Sequence, residues 1–241
     1  MQPAITGSTA KPKEQLIDGD TARWDGELLL AQGWAHYHGP AGDTTFHAHY
    51  PVQLVFSEAA EAAVTIDDRQ MVGCFLLVPS NARHMLAPSQ PPLDLLYIEP
   101  TLLEGSEGES RPLSEWLSVL RQRKATLDDP RMIRALEAID DGLGGKVTLD
   151  MVARAAGMSK SSFTKLFRAI IGMPPRRYVL WRRLNVAVAA IGEGADATQA
   201  AHKAGFADSA HFSRTMRETF GVSPTDSVLK IQMTVAETSA V

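Results

Sequence analysis

The sequence predicts an α+β protein in which an N-terminal β-barrel is followed by an all-α domain. Short runs rich in leucine, valine and phenylalanine, punctuated by glycine and proline, occupy residues 24–98. A two-helix unit then occurs twice, which predicts two helix-turn-helix units joined by a linker helix. From Lys146 onward there are 13 Lys and Arg against 7 Asp and Glu, whereas the preceding part holds 11 against 21. An acidic half and a basic half imply different partners.

Length and composition indicate an ordinary globular chain with room for two domains. It has 241 residues, of which 44% are hydrophobic and 22% are charged. Cys74 is the only cysteine, so no intrachain disulfide can form, as expected of a cytoplasmic protein. No apolar run reaches membrane-spanning length, and the start lacks the hydrophobic centre of a secretion signal. We expect a cytoplasmic protein with no membrane partner and a disordered tail over residues 1–22.

The predicted barrel covers residues 23–104. Its β-rich runs are short and separated by turn residues, as in sandwiches and small barrels. The predicted strands are Glu27 to Leu30, Gln53 to Phe56, Ala63 to Ile66, Cys74 to Val78 and Leu93 to Ile98.

Two stretches of this half resemble the cupin barrel. GDTTFHAHYPVQ (Gly42 to Gln53) is similar to the first cupin motif, and GCFLLVPSNARH (Gly73 to His84) is similar to the second, with Asn81 where glycine is usual. The resemblance implies a cupin-like sensor barrel. In metal-binding cupins two histidines, a glutamate and a later histidine converge on one ion, and the matching residues here are His47, His49, Gln53 and His84.

Three interpretations of these four residues remain open. They can line the pocket of an organic effector and form hydrogen bonds with it, which is the interpretation we favour over a metal. A divalent metal at His47, His49 and His84 is the second, although Gln53 brings no negative charge. Buried histidines without any ligand are the third. No cofactor is expected other than this metal.

Residues 105–127 are predicted to be a linker followed by a helix. GSEGES (Gly105 to Ser110) has linker composition, and Pro112 suits the first turn of a helix. The helix has one apolar side, which can pack on its own barrel or on a second subunit, and we favour a homodimer contact. That side consists of Leu113, Trp116, Leu117 and Leu120.

The all-α domain is predicted over residues 128–230, with residues 231–241 as a tail. It begins with a helix from Pro130 to Ile139, and a spacer helix over 176–191 joins the two repeated units. Within each unit a capped helix, a tight glycine turn and a second helix follow one another. In the second helices, Phe163, Phe167 and Ile170, and equivalently Phe212, Met216 and Thr219, are predicted to face the core.

The opposite side of both second helices carries hydroxyl and cationic side chains. Such a side suits the major groove of DNA, where hydroxyl and guanidinium groups meet base edges and phosphates. A solvated face is the alternative for any single helix, but two such helices in repeated units favour DNA. The predicted DNA-binding residues are Lys160, Ser161, Thr164, Lys165, Arg168, Ser209, Ala210, His211, Ser213, Arg214 and Arg217.

The stretches Ala156 to Pro175 and Ala204 to Pro224 resemble the tandem helix-turn-helix domain of the AraC/XylS transcription regulators. The resemblance implies that the two recognition helices enter successive major grooves, and members often carry a cupin-like sensor ahead of this domain. Thr225, Asp226 and Ser227 depart from the family pattern after the proline. The sequence therefore predicts an effector-controlled transcription regulator, not an enzyme. The alternative is a metal-dependent cupin enzyme with an appended helix-turn-helix module.

Overall fold

A computed structural model describes residues 23–103, 111–122, 127–225 and 231–236. The predicted tail over 1–22 and the predicted linker GSEGES lie outside these residues, as do residues 237–241. The described part contains a β-rich half, a short 3-10 helix (Pro100–Leu102), seven α-helices in the order predicted, and a last strand. Across these residues no helix combines the length and the apolar character needed to cross a bilayer.

The β-rich half forms two sheets. The strands are β1 (Glu27–Ala31), β2 (Trp34–Ala41), β3 (Val52–Phe56), β4 (Ala62–Ile66), β5 (Arg69–Gly73), β6 (Phe75–Val78), β7 (His84–Leu86), β8 (Ser89–Ile98) and β9 (Gln232–Val235). The larger sheet has six of them in the order β6-β3-β8-β2-β1-β9, and the smaller has three in the order β5-β4-β7.

The two sheets do not close into the predicted barrel. Each is a separate ladder within the described residues, and an isolated bridge from His47 to His84 is the pairing that lies outside the named strands. The edge at β1 is occupied by β9, which pairs with it in parallel, so β1 cannot pair with a strand of the smaller sheet. An apolar core between the sheets includes Val55, Val64 and Leu95.

The first helix, α1 (Leu113–Gln122), packs against its own sheet. Trp116 and Leu120 are only 1% and 2% exposed, and they share an apolar core with β2, β3 and β8. Leu113 and Leu117 are partly buried against the same core. The four residues predicted as a dimer contact are therefore used within the chain. The intramolecular alternative is the one the structure supports, because the apolar side of α1 covers the outer face of the large sheet.

The remaining helices form the all-α domain, and the four helices of the repeated units begin at side-chain caps, as predicted. They are α2 (Pro130–Gly142), α3 (Leu149–Ala155), α4 (Lys160–Ile171), α5 (Pro175–Gly192), α6 (Ala197–Lys203) and α7 (Ser209–Phe220). Thr148 and Asp196 cap α3 and α6 through their side chains, and Asp196 forms a capping box with Gln199. One apolar core surrounds α2, α3 and α4, and a second surrounds α5, α6 and α7.

The two halves of the molecule exchange structural elements. Tyr50, from the segment before β3, is 2% exposed and belongs to the core around α4, where its ring packs edge-on against Tyr178 and Trp181. In the other direction, β9 follows the helices and completes the large sheet, while Met233 packs on Gly192 of α5. The predicted tail over 231–241 therefore contains a strand that joins the two halves.

Candidate nucleic-acid interface and sensor site

Helix α4 presents most of its predicted DNA-binding residues to solvent. Ser159 caps its N-terminus by accepting from the Ser162 amide, and Phe163, Phe167 and Ile171 are buried. Ile170, which was predicted to face the core, is half-buried against it, and Ile171 beside it is buried. On the opposite side the helix has no acidic residue. Lys160, Ser161, Lys165 and Arg168 are exposed there, and Thr164 is half-buried.

Two of these side chains already have partners in the described structure. Lys160 Nζ lies 3.2 Å from Asp150 Oδ1, in an exposed pair that is weak in water. The Thr164 hydroxyl donates to the Lys160 carbonyl at 2.8 Å, so its oxygen is left as an acceptor. Lys165 and Arg168 are therefore the cations on α4 best placed to meet DNA.

Helix α7 repeats this design with one difference. Asp208 caps it by accepting from the His211 amide at 2.6 Å, and Phe212, Thr215 and Met216 are buried, with Thr215 in place of the predicted Thr219. The predicted residues Ala210, Arg214 and Arg217 are exposed, whereas Ser209, His211 and Ser213 are half-buried. The His211 ring packs edge-on against Phe206, with 5.3 Å between ring centroids. His211 therefore supports the turn between α6 and α7 and is less free to reach a base than predicted.

The linker helix α5 is partly committed to internal contacts. Arg176 and Arg177 are exposed at its start. Arg182 forms an ion pair with Asp140, with 3.0 Å between Nε and Oδ1, and Arg183 donates to the Gly145 carbonyl at 2.6 Å. These two arginines hold α5 to the segment around α2, which leaves the first two better placed to meet a phosphate.

In the N-terminal half, the structure brings His47, His49, Gln53 and His84 together, as the sequence predicts. Their exposures are 6%, 2%, 2% and 0%. The ring centroids of the histidines lie 4.1 to 5.6 Å apart. Their ligand nitrogens all lie within 4.8 Å of one another. The three rings are therefore close enough for their nitrogens to face one small space.

Burial keeps these imidazoles neutral. Burial, followed by the charges of His84 and His49, lowers the pKa of His47 to about 2. Burial and the charge of His84 lower the pKa of His49 to about 4, and burial also lowers the pKa of His84. Neutral imidazole is the form that binds metal ions. His36 and His38, which lie outside the cluster, both contact Asp94.

Backbone carbonyls fix which nitrogen of each ring carries the proton. Nδ1 of His47 donates to the Thr45 carbonyl at 2.7 Å, and Nδ1 of His49 donates to the Pro51 carbonyl at 2.8 Å. Nδ1 of His84 donates to the Ala82 carbonyl at 3.0 Å. Because a carbonyl oxygen can only accept, each neutral ring keeps its lone pair on Nε2.

The cluster touches the end of the second recognition helix. The Thr45 amide and hydroxyl both donate to the Gly221 carbonyl, at 3.0 and 3.2 Å. Gly221 ends α7 in the left-handed conformation, with φ of 73°. A Cβ added there would lie 2.5 Å from the Thr45 carbonyl oxygen and 2.6 Å from His47 Nδ1. The Phe220 ring lies 6.1 Å from the His49 ring, between centroids.

Two clefts lie between the halves, and the Tyr97 ring, which lines both, also packs edge-on against His49 with 5.3 Å between centroids. The larger has a volume of about 300 Å³ and runs between β1, β2 and α5. Its polar side chains are Gln32, Tyr97, Glu99, Arg182 and Asn185. The smaller, of about 110 Å³, reaches Met216 and Phe220 of α7. None of the four predicted effector-pocket residues lines either of these two clefts.

Glu99 is a site residue that sequence reasoning missed. Its carboxylate accepts from the Trp181 indole at 2.8 Å, which ties the end of β8 to α5. Burial raises the pKa of Glu99, although the hydrogen bond from Trp181 acts in the opposite direction. In the sequence, Glu99 could have been recognised as a carboxyl group that directly follows an apolar strand and precedes Pro100.

Known proteins resemble the chain most clearly in its second half. Residues 152–227 match the family described as "Helix-turn-helix domain". The probable transcriptional regulator LumQ of Photobacterium leiognathi is 30% identical over 123 residues, which cover 48% of this chain and 50% of LumQ. The XylDLEGF operon transcriptional activator 3 of Pseudomonas putida is 29% identical over 108 residues, covering 43% of this chain and 33% of the activator. The matches thus span half or less of these relatives.

The structural similarity to one solved protein extends over both halves of this chain. ToxT from Vibrio cholerae O395 has a TM-score of 0.55 at 11% identity, covering 83% of this chain and 98% of ToxT. Another ToxT structure, at the same TM-score, is described as bound to an unsaturated fatty acid. The named relatives are transcription regulators, in agreement with the prediction of a regulator and not of a cupin enzyme. Residues 152–227 therefore match a helix-turn-helix family, and the resemblance of this half to transcription regulators agrees with the sequence prediction.

Proposed function

We propose that this chain is a sequence-specific DNA-binding transcription regulator whose N-terminal half senses a small molecule. The observation that carries the proposal is the repeated pair of capped helices. Both α4 and α7 bury an aromatic side and expose a side of small polar and cationic residues. A recognition helix needs both properties, because the buried side fixes the helix while the exposed side contacts the groove.

In the proposed complex, α4 and α7 enter successive major grooves on one face of the duplex. Lys165 and Arg214 occupy equivalent positions, so each helix places one cation towards the base edges, where arginine and lysine recognise guanine. Arg168 and Arg217 follow one turn later and suit phosphates. Helix α5 has 18 residues and is therefore about 27 Å long. This length holds α4 and α7 apart at a distance near the roughly 34 Å repeat of the major groove.

For the N-terminal half we propose a cupin-like sensor with its organic effector in the cleft of about 300 Å³. The cleft fits a small molecule with an apolar body, since Trp34, Tyr97 and Trp181 line it together with the carboxyl group of Glu99. It lies against α5, which joins the two DNA-binding units. An effector bound there would change how the two units are held relative to each other, provided that its affinity differs between the two arrangements.

Footprinting on the DNA that flanks the gene of this chain tests the proposal. We expect two protected segments about one helical turn apart on the same face of the duplex. Binding should weaken steeply as the salt concentration rises, because phosphate contacts release counterions. Binding no tighter than to random DNA, at low salt and across candidate effectors, would reject sequence-specific recognition.

A further inference from the structure

The larger cleft contains a buried carboxyl group with one oxygen available to a ligand. Glu99 is 7% exposed, and its Oε1 accepts from the Trp181 indole at 2.8 Å. Among the described residues no hydrogen bond reaches its second oxygen, Oε2. A Cβ added to Gly33, which also lines the cleft, would lie 3.8 Å from Oε2. A buried acceptor without a donor is unfavourable, so this oxygen favours a ligand that donates to it.

Three aromatic side chains line the same cleft. They are Trp34, Tyr97 and Trp181, of which the two tryptophans are 7% and 9% exposed. The face of an aromatic ring carries partial negative charge and attracts a cation, most strongly where water is excluded. Aromatic rings together with a carboxylate are therefore a combination that binds an ammonium group.

The charges around the larger cleft also favour a positive ligand. Among its described lining residues, Arg182 is the other charged one. The guanidinium group is paired with Asp140, with 3.0 Å between Nε and Oδ1 and 3.1 Å between Nη2 and Oδ2. Ionised Glu99 therefore adds a negative charge to an ion pair that is already neutral. An anionic ligand would have to displace Asp140 from Arg182, whereas a cation leaves this pair intact.

The smaller cleft continues the site towards α7. Met216 and Phe220 of α7 and Val222 beyond it line this cleft, whereas no residue of α4 lines either of the two. The two clefts lie side by side because they share the lining residues Leu30, Ala35, Tyr97, Trp181 and Asn185. An apolar tail that extends from the larger cleft into the smaller one therefore contacts the second recognition helix and not the first.

We propose that the two clefts bind one amphipathic amine, with its ammonium group between Glu99 and the aromatic rings and its apolar tail against α7. Burial raises the pKa of Glu99, and a cation beside the carboxyl group counters this effect by stabilising the ionised form. The amine acts as the effector only if the proposed sensor function holds, whereas its binding is measured without DNA. Failure of sequence-specific DNA binding would therefore reject the proposed function and leave the amine site in place.

Three octyl compounds that differ in their head group test the charge of the ligand. The full chain is titrated calorimetrically with octylamine, octanol and octanoate near neutral pH. Octylamine should bind at least tenfold more tightly than either of the others, because it alone carries a positive charge. Absence of octylamine binding would overturn the proposal. Octanoate that binds as tightly as octylamine would also overturn it and would assign the cleft to anions through Arg182.

Glu99→Gln tests the role of the carboxylate, since the amide keeps an acceptor for the Trp181 indole and removes the charge. The variant should bind octylamine at least tenfold more weakly than the wild type, while its affinity for octanol should stay within twofold. Glu61→Gln, at an exposed glutamate before β4, is the matched control and should bind octylamine like the wild type. Equal octylamine affinities in the two variants would show that Glu99 does not hold the ammonium group.

The position of the tail is tested by chain length. Each methylene that is buried should tighten binding by about fourfold, so octylamine should bind the wild type at least tenfold more tightly than butylamine. Val222→Phe places a larger side chain in the smaller cleft, and it should weaken octylamine binding while the affinity for butylamine is unchanged. Equal affinities of the two amines for the wild type would overturn the placement of the tail against α7. An equal loss for both amines in Val222→Phe would do the same.

Discussion

Arg214 stands on the exposed side of α7 at the position that Lys165 holds in α4. The two side chains differ in what they can recognise, because the guanidinium group can form a bidentate pair with a guanine and the ammonium group acts as a point charge. The second unit is therefore expected to contribute more to sequence preference than the first.

Replacing Arg214 by alanine should weaken binding to the specific operator by about 1–3 kcal/mol if the side chain contacts a base. Gel-shift titration on operator and on random DNA measures the effect. Arg69→Ala, at an exposed arginine of β5, is the matched control and should bind like the wild type. An equal loss on both DNAs would instead assign Arg214 to a phosphate.

Glu99 predicts a pH dependence of stability. Burial raises its pKa above the ordinary value of 4.5, so the unfolded chain releases this proton at lower pH than the folded chain does. The free energy of unfolding therefore falls as the pH rises from about 4.5 towards the folded pKa. The titratable groups that influence it are Arg182, Asp140, Tyr50 and Tyr178.

Glu99→Gln keeps an acceptor for the Trp181 indole and cannot lose a proton. Its melting temperature should exceed that of the wild type near neutral pH, and the difference should shrink as the pH approaches 4. Thermal melts of both proteins across this range provide the measurement. A difference that is constant with pH would show that the carboxyl group is ionised in the fold.

At the scale of elements, the helices were predictable and several strands were not. Each helix in the repeated units begins at a side-chain cap and ends at a glycine or alanine, and these residues can be recognised in the sequence. By contrast, β2 contains Gly39 and Pro40, which read as a turn, and β5 is exposed along most of its length, so it has no buried side to reveal it. Likewise, β9 depends on pairing with a strand about two hundred residues earlier.

The packing partner of α1 could not be predicted either. Its apolar side was visible in the sequence, but the positions of three leucines and a tryptophan do not show which surface they cover. The structure places Trp116 on the large sheet of the same chain. The histidine cluster was predicted from its residues, whereas the link from Thr45 to Gly221 was not, since residues 176 positions apart carry no common pattern.

Trp116→Ala should therefore destabilise the folded chain by about 3–5 kcal/mol, because a fully buried tryptophan is removed from a core. The variant Ser118→Ala, on the exposed side of α1, should change stability by less than about 0.5 kcal/mol. Chemical denaturation gives both values, and sedimentation at several concentrations reports the assembly state. If Trp116→Ala changed only the assembly state, the original dimer interpretation would be correct.

For the whole molecule, the two halves are expected to unfold together. Tyr50 is part of the core around α4, and β9 is part of the sheet that contains β1. These reciprocal insertions mean that neither half is complete alone, although the length and composition of the sequence predicted room for two domains.

A matched pair in β9 tests this cooperation. Met233 packs on Gly192 of α5, whereas its neighbour Thr234 is exposed. Met233→Asp places a charge in that contact and should cost roughly 1–3 kcal/mol, with the single thermal transition separating into two. Thr234→Asp should leave calorimetric unfolding nearly unchanged. Identical traces for the two variants would show that β9 does not hold the halves together.

The parallel pairing of β9 with β1 also determines the order of events during synthesis. When β1 leaves the ribosome, the strand that covers its outer edge has not yet been translated, and about two hundred further residues must be made before it exists. Until then the nascent chain carries an open strand edge, which is the kind of surface on which chains aggregate and chaperones act. Translation that stalls before residue 232 would release a chain with this edge unprotected.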